Sequence, residues 1–156
     1  MEKQKSLELR MELLWWVFTI IVAVAVLFPI LKNVDDYPFL FPNIVFIVVF
    51  ITFARYFFLL KHTFLAHRQV LKVIIFFLCL PLVFYLIQEI NAMRGYLDEN
   101  GIDDLVKNLP YEDHWRFATY IKSQMNFFGA ASVVVTVLLP LRLLLSVWRN
   151  RNRGTV

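Results

Sequence analysis

LLWWVFTIIVAVAVLFPIL, residues 13–31, decides the fold: nineteen consecutive positions carry no charged side chain. A helix needs ~20 such residues to cross a hydrocarbon core of ~30 Å. The same signal recurs at residues 39–60, 70–87 and 127–147, with isolated bases inside the runs as their only charges. Carried to their helical ends, the spans are 13–31, 39–60, 70–90 and 122–148, with residues 91–121 left between the last two. The sequence therefore predicts an all-α integral membrane protein, an antiparallel four-helix transmembrane bundle. Helices 3 and 4 are expected to extend beyond the bilayer as an outer helical hairpin.

Composition agrees. Of 156 residues, 60% are hydrophobic and only 18% charged, where soluble domains carry ~25% charge. At this length one membrane domain, 1–156, is expected, with no soluble catalytic domain beside four spans. The net charge of +4 does not point to nucleic acid, because the bases flank apolar helices. There they set topology and meet lipid headgroups.

The charges sort by side. Lys3, Lys5, Arg10, Lys61, Arg68, Lys72, Arg149, Arg151 and Arg153 belong to one face, with Arg55 and Arg142 in the adjoining helix ends. Only Glu2, Glu8 and Glu12 oppose them there; the other acids lie in the first and third connections. Lys and Arg accumulate in cytoplasmic loops, so both termini are expected in the cytoplasm, with the bacterial inner membrane as the expected address. Trp15, Trp16 and Trp148 fall at the cytoplasmic ends of their spans, Tyr37 and Tyr85 near the outer boundary. Aromatic rings with a polar edge favour those depths. Ala23-Val24-Ala25 resembles a signal-peptidase site. The apolar run continues to Leu31, and an uncleaved anchor is the expectation.

The third connection stands apart. Leu86, Ile90, Met93 and Leu97 prolong the helical stripe of span 3 past the boundary, and Asn100-Gly101 supplies a stop. Asp103 or Asp104 is expected to cap a short helix carrying Leu105, Val106 and Leu109, ended by Pro110. From Tyr111 the pattern is helical without a breaker into span 4, with Ala118, Ile121, Met125 and Phe128 on one stripe. Tyr96, Tyr111, Trp115 and Tyr120 exceed what two short helices must bury, so Tyr96, Trp115 and Tyr120 are expected to contact a protein partner.

Within the spans polar residues are few, and they are the usual pointers to function. Gly129, Ser132 and Thr136 follow Met125 on one face, a seam inside the chain or between subunits, and partner contact within the bilayer is expected along it. Arg55 and Arg142 each lie six or seven residues before the next cytoplasmic base, ~10 Å deep. They are expected to snorkel to lipid phosphate or to line a cleft for an anionic lipid or a partner's carboxylate, and Glu12 is the one acid placed to pair with either.

Chemistry-bearing motifs are missing. His62 and His67 are five apart and His114 stands alone, so no helical metal pair forms, and no span carries a haem-ligating histidine. One cysteine, Cys79, excludes an internal disulfide. No Asp or Glu sits deep in a span to relay protons. Neither a cofactor nor enzymatic activity is expected. The leading expectation is a subunit or accessory factor of a larger membrane complex, bound to anionic lipids on its cytoplasmic face. The alternative is a homo-oligomeric channel or carrier for a small or anionic solute, lined by Thr52, Ser132 and Thr136.

Overall fold

The structure, a computed structural model, describes residues 2–34 and 36–152. Arg153 lies outside the described residues, as do the side chains of Lys3, Lys5, His62 and His67. Among the described residues all regular structure is helical: α1 (Glu2–Asn33), α2 (Leu40–Leu59), α3 (Gln69–Asn100), α4 (Asp103–Val106) and α5 (Tyr111–Asn152). Four of these, α1, α2, α3 and α5, are long and apolar enough to cross a membrane, which makes the chain a multi-pass membrane protein. Span 2 falls within a residue of its expected limits, at 20 residues or ~30 Å. The others overrun theirs. At 32 residues α3 is ~48 Å long, and at 42 residues α5 is ~63 Å.

Prolines sit inside three of the long helices, Pro29 in α1, Pro81 in α3 and Pro140 in α5. Membrane helices tolerate them because neighbours satisfy the freed carbonyls. Near Pro29 the Tyr120 hydroxyl donates to the Val26 carbonyl at 2.8 Å, tying α5 to α1. The expected stop at Asn100-Gly101 is realised by Gly101, whose φ of 76° and ψ of 164° suit only glycine and whose N–H reaches the Leu97 carbonyl at 3.0 Å. The connection after α2 folds into two short 3-10 turns, Leu60–His62 and Phe64–His67.

The most extensive contact is not between chain neighbours. It joins α2 to α5; α3 packs on α5, α1 packs on α2, and α1 and α3 hardly meet. Down the α2–α5 pair the partners advance together. Asn43 and Tyr37 lie by Met125, Phe46 by Gly129, and Leu60 shares a cluster with Leu139 and Leu143. The main core gathers Ile30, Phe46, Ile47, Leu86, Ile121 and Met125 around one end of this pair. The predicted stripe of α3 is realised, with Leu86 and Met93 buried and Ile90 and Leu97 packed against them.

Candidate functional site

The segment between α3 and α5 was expected to present aromatics to a partner, and its side chains divide sharply. Tyr96 donates its hydroxyl to the Asp104 carboxylate, which also accepts from Lys107 Nζ at 3.1 Å. These two donors, Tyr96 first, hold the Asp104 carboxyl below the usual carboxylate range. Neither Asp103 nor Asp104 caps α4, whose N-cap is Ile102 without a side-chain bond. Asp104 instead ties α4 to α3. The Tyr96 ring also stacks edge-on against Phe39 at 5.2 Å. Tyr120 is committed to Val26, as above. Tyr96 and Tyr120 are thus engaged inside the fold.

Two aromatics remain outside. Tyr111 is 90% exposed and Trp115 80% exposed. A spacing of four puts both on one face of the first turns of α5. Their platform is fixed by His114, whose Nε2 lies 2.7 Å from the Leu109 carbonyl and whose ring lies 5.8 Å from that of Tyr111. Rings exposed in this way carry large contact area at little entropic cost.

Beneath this segment lies a polar cluster that the sequence reading did not single out. Buried Tyr37 donates to the Met125 sulfur at 2.8 Å, and Asn43 Nδ2 donates to the Tyr37 hydroxyl at 3.3 Å. Gln124 is buried beside Met125, and among the described residues neither its amide nor the Asn43 carbonyl oxygen meets a hydrogen-bond partner. Burial keeps the Tyr37 phenol protonated well above its ordinary range, with Asn43 offsetting this in part. The available signal was position: Gln124 is three residues after Ile121 and directly beside Met125, on the stripe expected to be buried.

The Gly129 face resolves to the inside of the chain. A Cβ at Gly129 would stand 3.1 Å from Ile90 Cγ1 and 3.6 Å from Phe46, so its bare backbone is what lets α2, α3 and α5 converge. Ser132 and Thr136 are fully buried in that seam. Their hydroxyls do not bridge helices, as hydroxyls at a packing face often do. They bond back along α5, Ser132 to the Gly129 carbonyl at 2.7 Å and Thr136 to the Ser132 carbonyl at 2.6 Å. These three residues are therefore packing residues within the chain and are covered from partners.

The two arginines have different surroundings. Arg55 is buried, and its guanidinium meets Glu12 through two parallel bonds of 2.7 and 2.9 Å. It also lies 5.4 Å from the Trp15 ring centroid and 5.7 Å from that of Tyr56. Arg55 is thus paired with an acid of α1. Arg142 is half-buried and forms no ion pair with a carboxylate among the described residues. The clustering of Leu139 and Leu143 with Leu60 and Leu65 sets Arg142 beside the turn that follows α2.

Lys72 was counted only as a topology signal, yet it is buried. Its ammonium donates to the Ala66 carbonyl at 2.8 Å and Ser146 Oγ at 3.0 Å, stitching the α2–α3 turn to α5. A lone lysine between Leu71 and Val73 was the clue. Cys79 is buried among Leu139 and Leu143. Among the described residues no group of three His, Cys, Asp or Glu converges as metal ligands would. Comparison of the chain with protein-family models, characterised proteins and solved structures yields no match.

Proposed function

We infer that this chain is a non-enzymatic subunit or accessory factor of a larger membrane complex, docked through the first turns of α5. One observation carries the reading: Tyr111 and Trp115 stand free on one face while every neighbouring tyrosine is tied inward. The address follows from charge. With Lys and Arg gathered at the start of α1, the α2–α3 turn and the end of α5, both termini face the cytoplasm, and consecutive spans run antiparallel. Counting ~20 residues of bilayer along α3 and α5 leaves their far ends, with α4 between them, as a hairpin outside. Trp115 is then presented to the exterior compartment, and a partner reaches it there.

The channel reading draws less support. Two of its three expected lining residues, Ser132 and Thr136, are sealed among α2, α3 and α5, and a pore between copies needs its lining on the outside of each.

The subunit reading is tested by gentle extraction from the native membrane, comparing the wild-type chain with Trp115→Ala. A central interface tryptophan contributes ~2 kcal/mol or more, so the variant is expected to lose its co-purifying partner at least ~30-fold. Its helical content and expression should be unchanged, because the exposed ring supports nothing beneath it. A partner retained at wild-type stoichiometry would remove the argument from Trp115.

A further inference from the structure

An apolar groove of about 440 Å³ runs between α2 and α5 on the outside of the molecule, walled by Phe50, Phe57, Phe58, Phe127, Ala130 and Leu138. No polar side chain lines it. Its wall on α5, from Phe127 to Leu138, is ~16 Å long at helical rise, about the depth of one leaflet of a 30 Å core. Its wall on α2 ends at Phe58, one residue before the helix does. The groove therefore opens at a membrane boundary. Two bases wait there. Arg142 follows Leu138 by one turn on the same face of α5 and has no carboxylate partner among the described residues. Lys61, exposed, follows Phe58 by three residues.

We propose that this groove holds one acyl chain of an anionic phospholipid whose phosphate is bound by Arg142, with Lys61 adjoining. The charge selects the occupant. A partner helix laid in the groove would cover Arg142 and leave its guanidinium unanswered unless it brought an acid to that level. A phospholipid brings the phosphate at the height where its chain ends, and a guanidinium meets phosphate through paired donors. Arg55 has no share in this site, being occupied by Glu12. The site is independent of the docking face at Trp115.

Native mass spectrometry of the full chain in a mild detergent tests it, with phosphatidylglycerol and phosphatidylcholine of identical acyl chains as probes. One phosphatidylglycerol should bind with about tenfold preference, because both lipids carry a phosphate but the choline of phosphatidylcholine offsets its charge at Arg142. Arg142→Gln should abolish that preference, and Ala130→Phe should lower binding of both lipids. Ala130 is exposed, so the added ring fills the groove without displacing the core. Circular dichroism melts of both variants should match the wild type, which separates lost binding from lost folding. Glycerol phosphate, which lacks chains, should not compete. Equal binding of the two lipids, preference surviving in Arg142→Gln, or displacement by glycerol phosphate would each overturn the proposal. So would a dimer peak in the wild type that Ala130→Phe removes, since the occupant would then be a second copy.

Discussion

Arginine at position 55 shows how one side chain can organise a pair of membrane helices. Its side chain is 5% exposed and that of Glu12 15% exposed, so both charges have left water for each other. Removing one partner of a buried pair leaves the other uncompensated and costs ~3–5 kcal/mol, whereas replacing both by apolar groups is often close to neutral. Glu12→Ala is therefore expected to destabilise the fold by ~3 kcal/mol in reversible unfolding from detergent micelles. Glu12→Leu combined with Arg55→Met should recover most of that loss. An unchanged midpoint in Glu12→Ala would mean that Arg55 finds its counter-charge elsewhere. The sequence made this pair legible by elimination, because Glu12 was the one acid near a span end on the basic side. It could not show that Arg142 lacks such a partner among the described residues, nor that Lys72 is buried. Both depend on which helices meet, and a base near a span end reads alike whether it faces lipid, turn or groove.

Among the elements, the stretch from the end of α3 to the start of α5 carries the most information. Its stop at Gly101 and its helix restart at Tyr111 were both readable, because glycine and proline punctuate a chain in ways tertiary packing rarely overrides. Asp103 and Asp104 have the right chemistry for an N-cap, but Tyr96 and Lys107 compete for Asp104, and that competition is invisible without the fold. It has a pH consequence. Asp104 has its folded pKa depressed by the Tyr96 hydroxyl and Lys107. Its contribution is fully present above the unfolded carboxylate value of ~3.9 and is lost as pH falls through the lower folded value. Amide exchange in residues 103–106 is expected to accelerate, beyond its intrinsic pH dependence, as pH drops below that range. In Asp104→Asn the excess acceleration should vanish. Identical exchange profiles for the two proteins would show that Asp104 does not hold α4 to α3.

Taken whole, the molecule is a helical bundle whose spans were plain in the sequence and whose pairing was not. A soluble helix declares its buried face by an apolar stripe, but a membrane helix is apolar on all sides, so the stripe disappears. What marks the interior instead is small or polar residues, and these held partial information: Gly129, Ser132 and Thr136 were recognised as a seam. Whether the seam closed within the chain or between chains needed Ile90 and Phe46 to be seen against Gly129. With that seam closed, the exposed Tyr111 and Trp115 carry the proposed docking face, and the groove beside Arg142 the proposed lipid site. The measurement that bears most directly on the subunit reading is photo-crosslinking from position 115 in native membranes, with Phe84, an exposed position on α3 within the span, as the control site. The account predicts one discrete adduct from position 115 to a different polypeptide, absent from position 84. Adducts only to a second copy of this chain, or none from position 115, would contradict it.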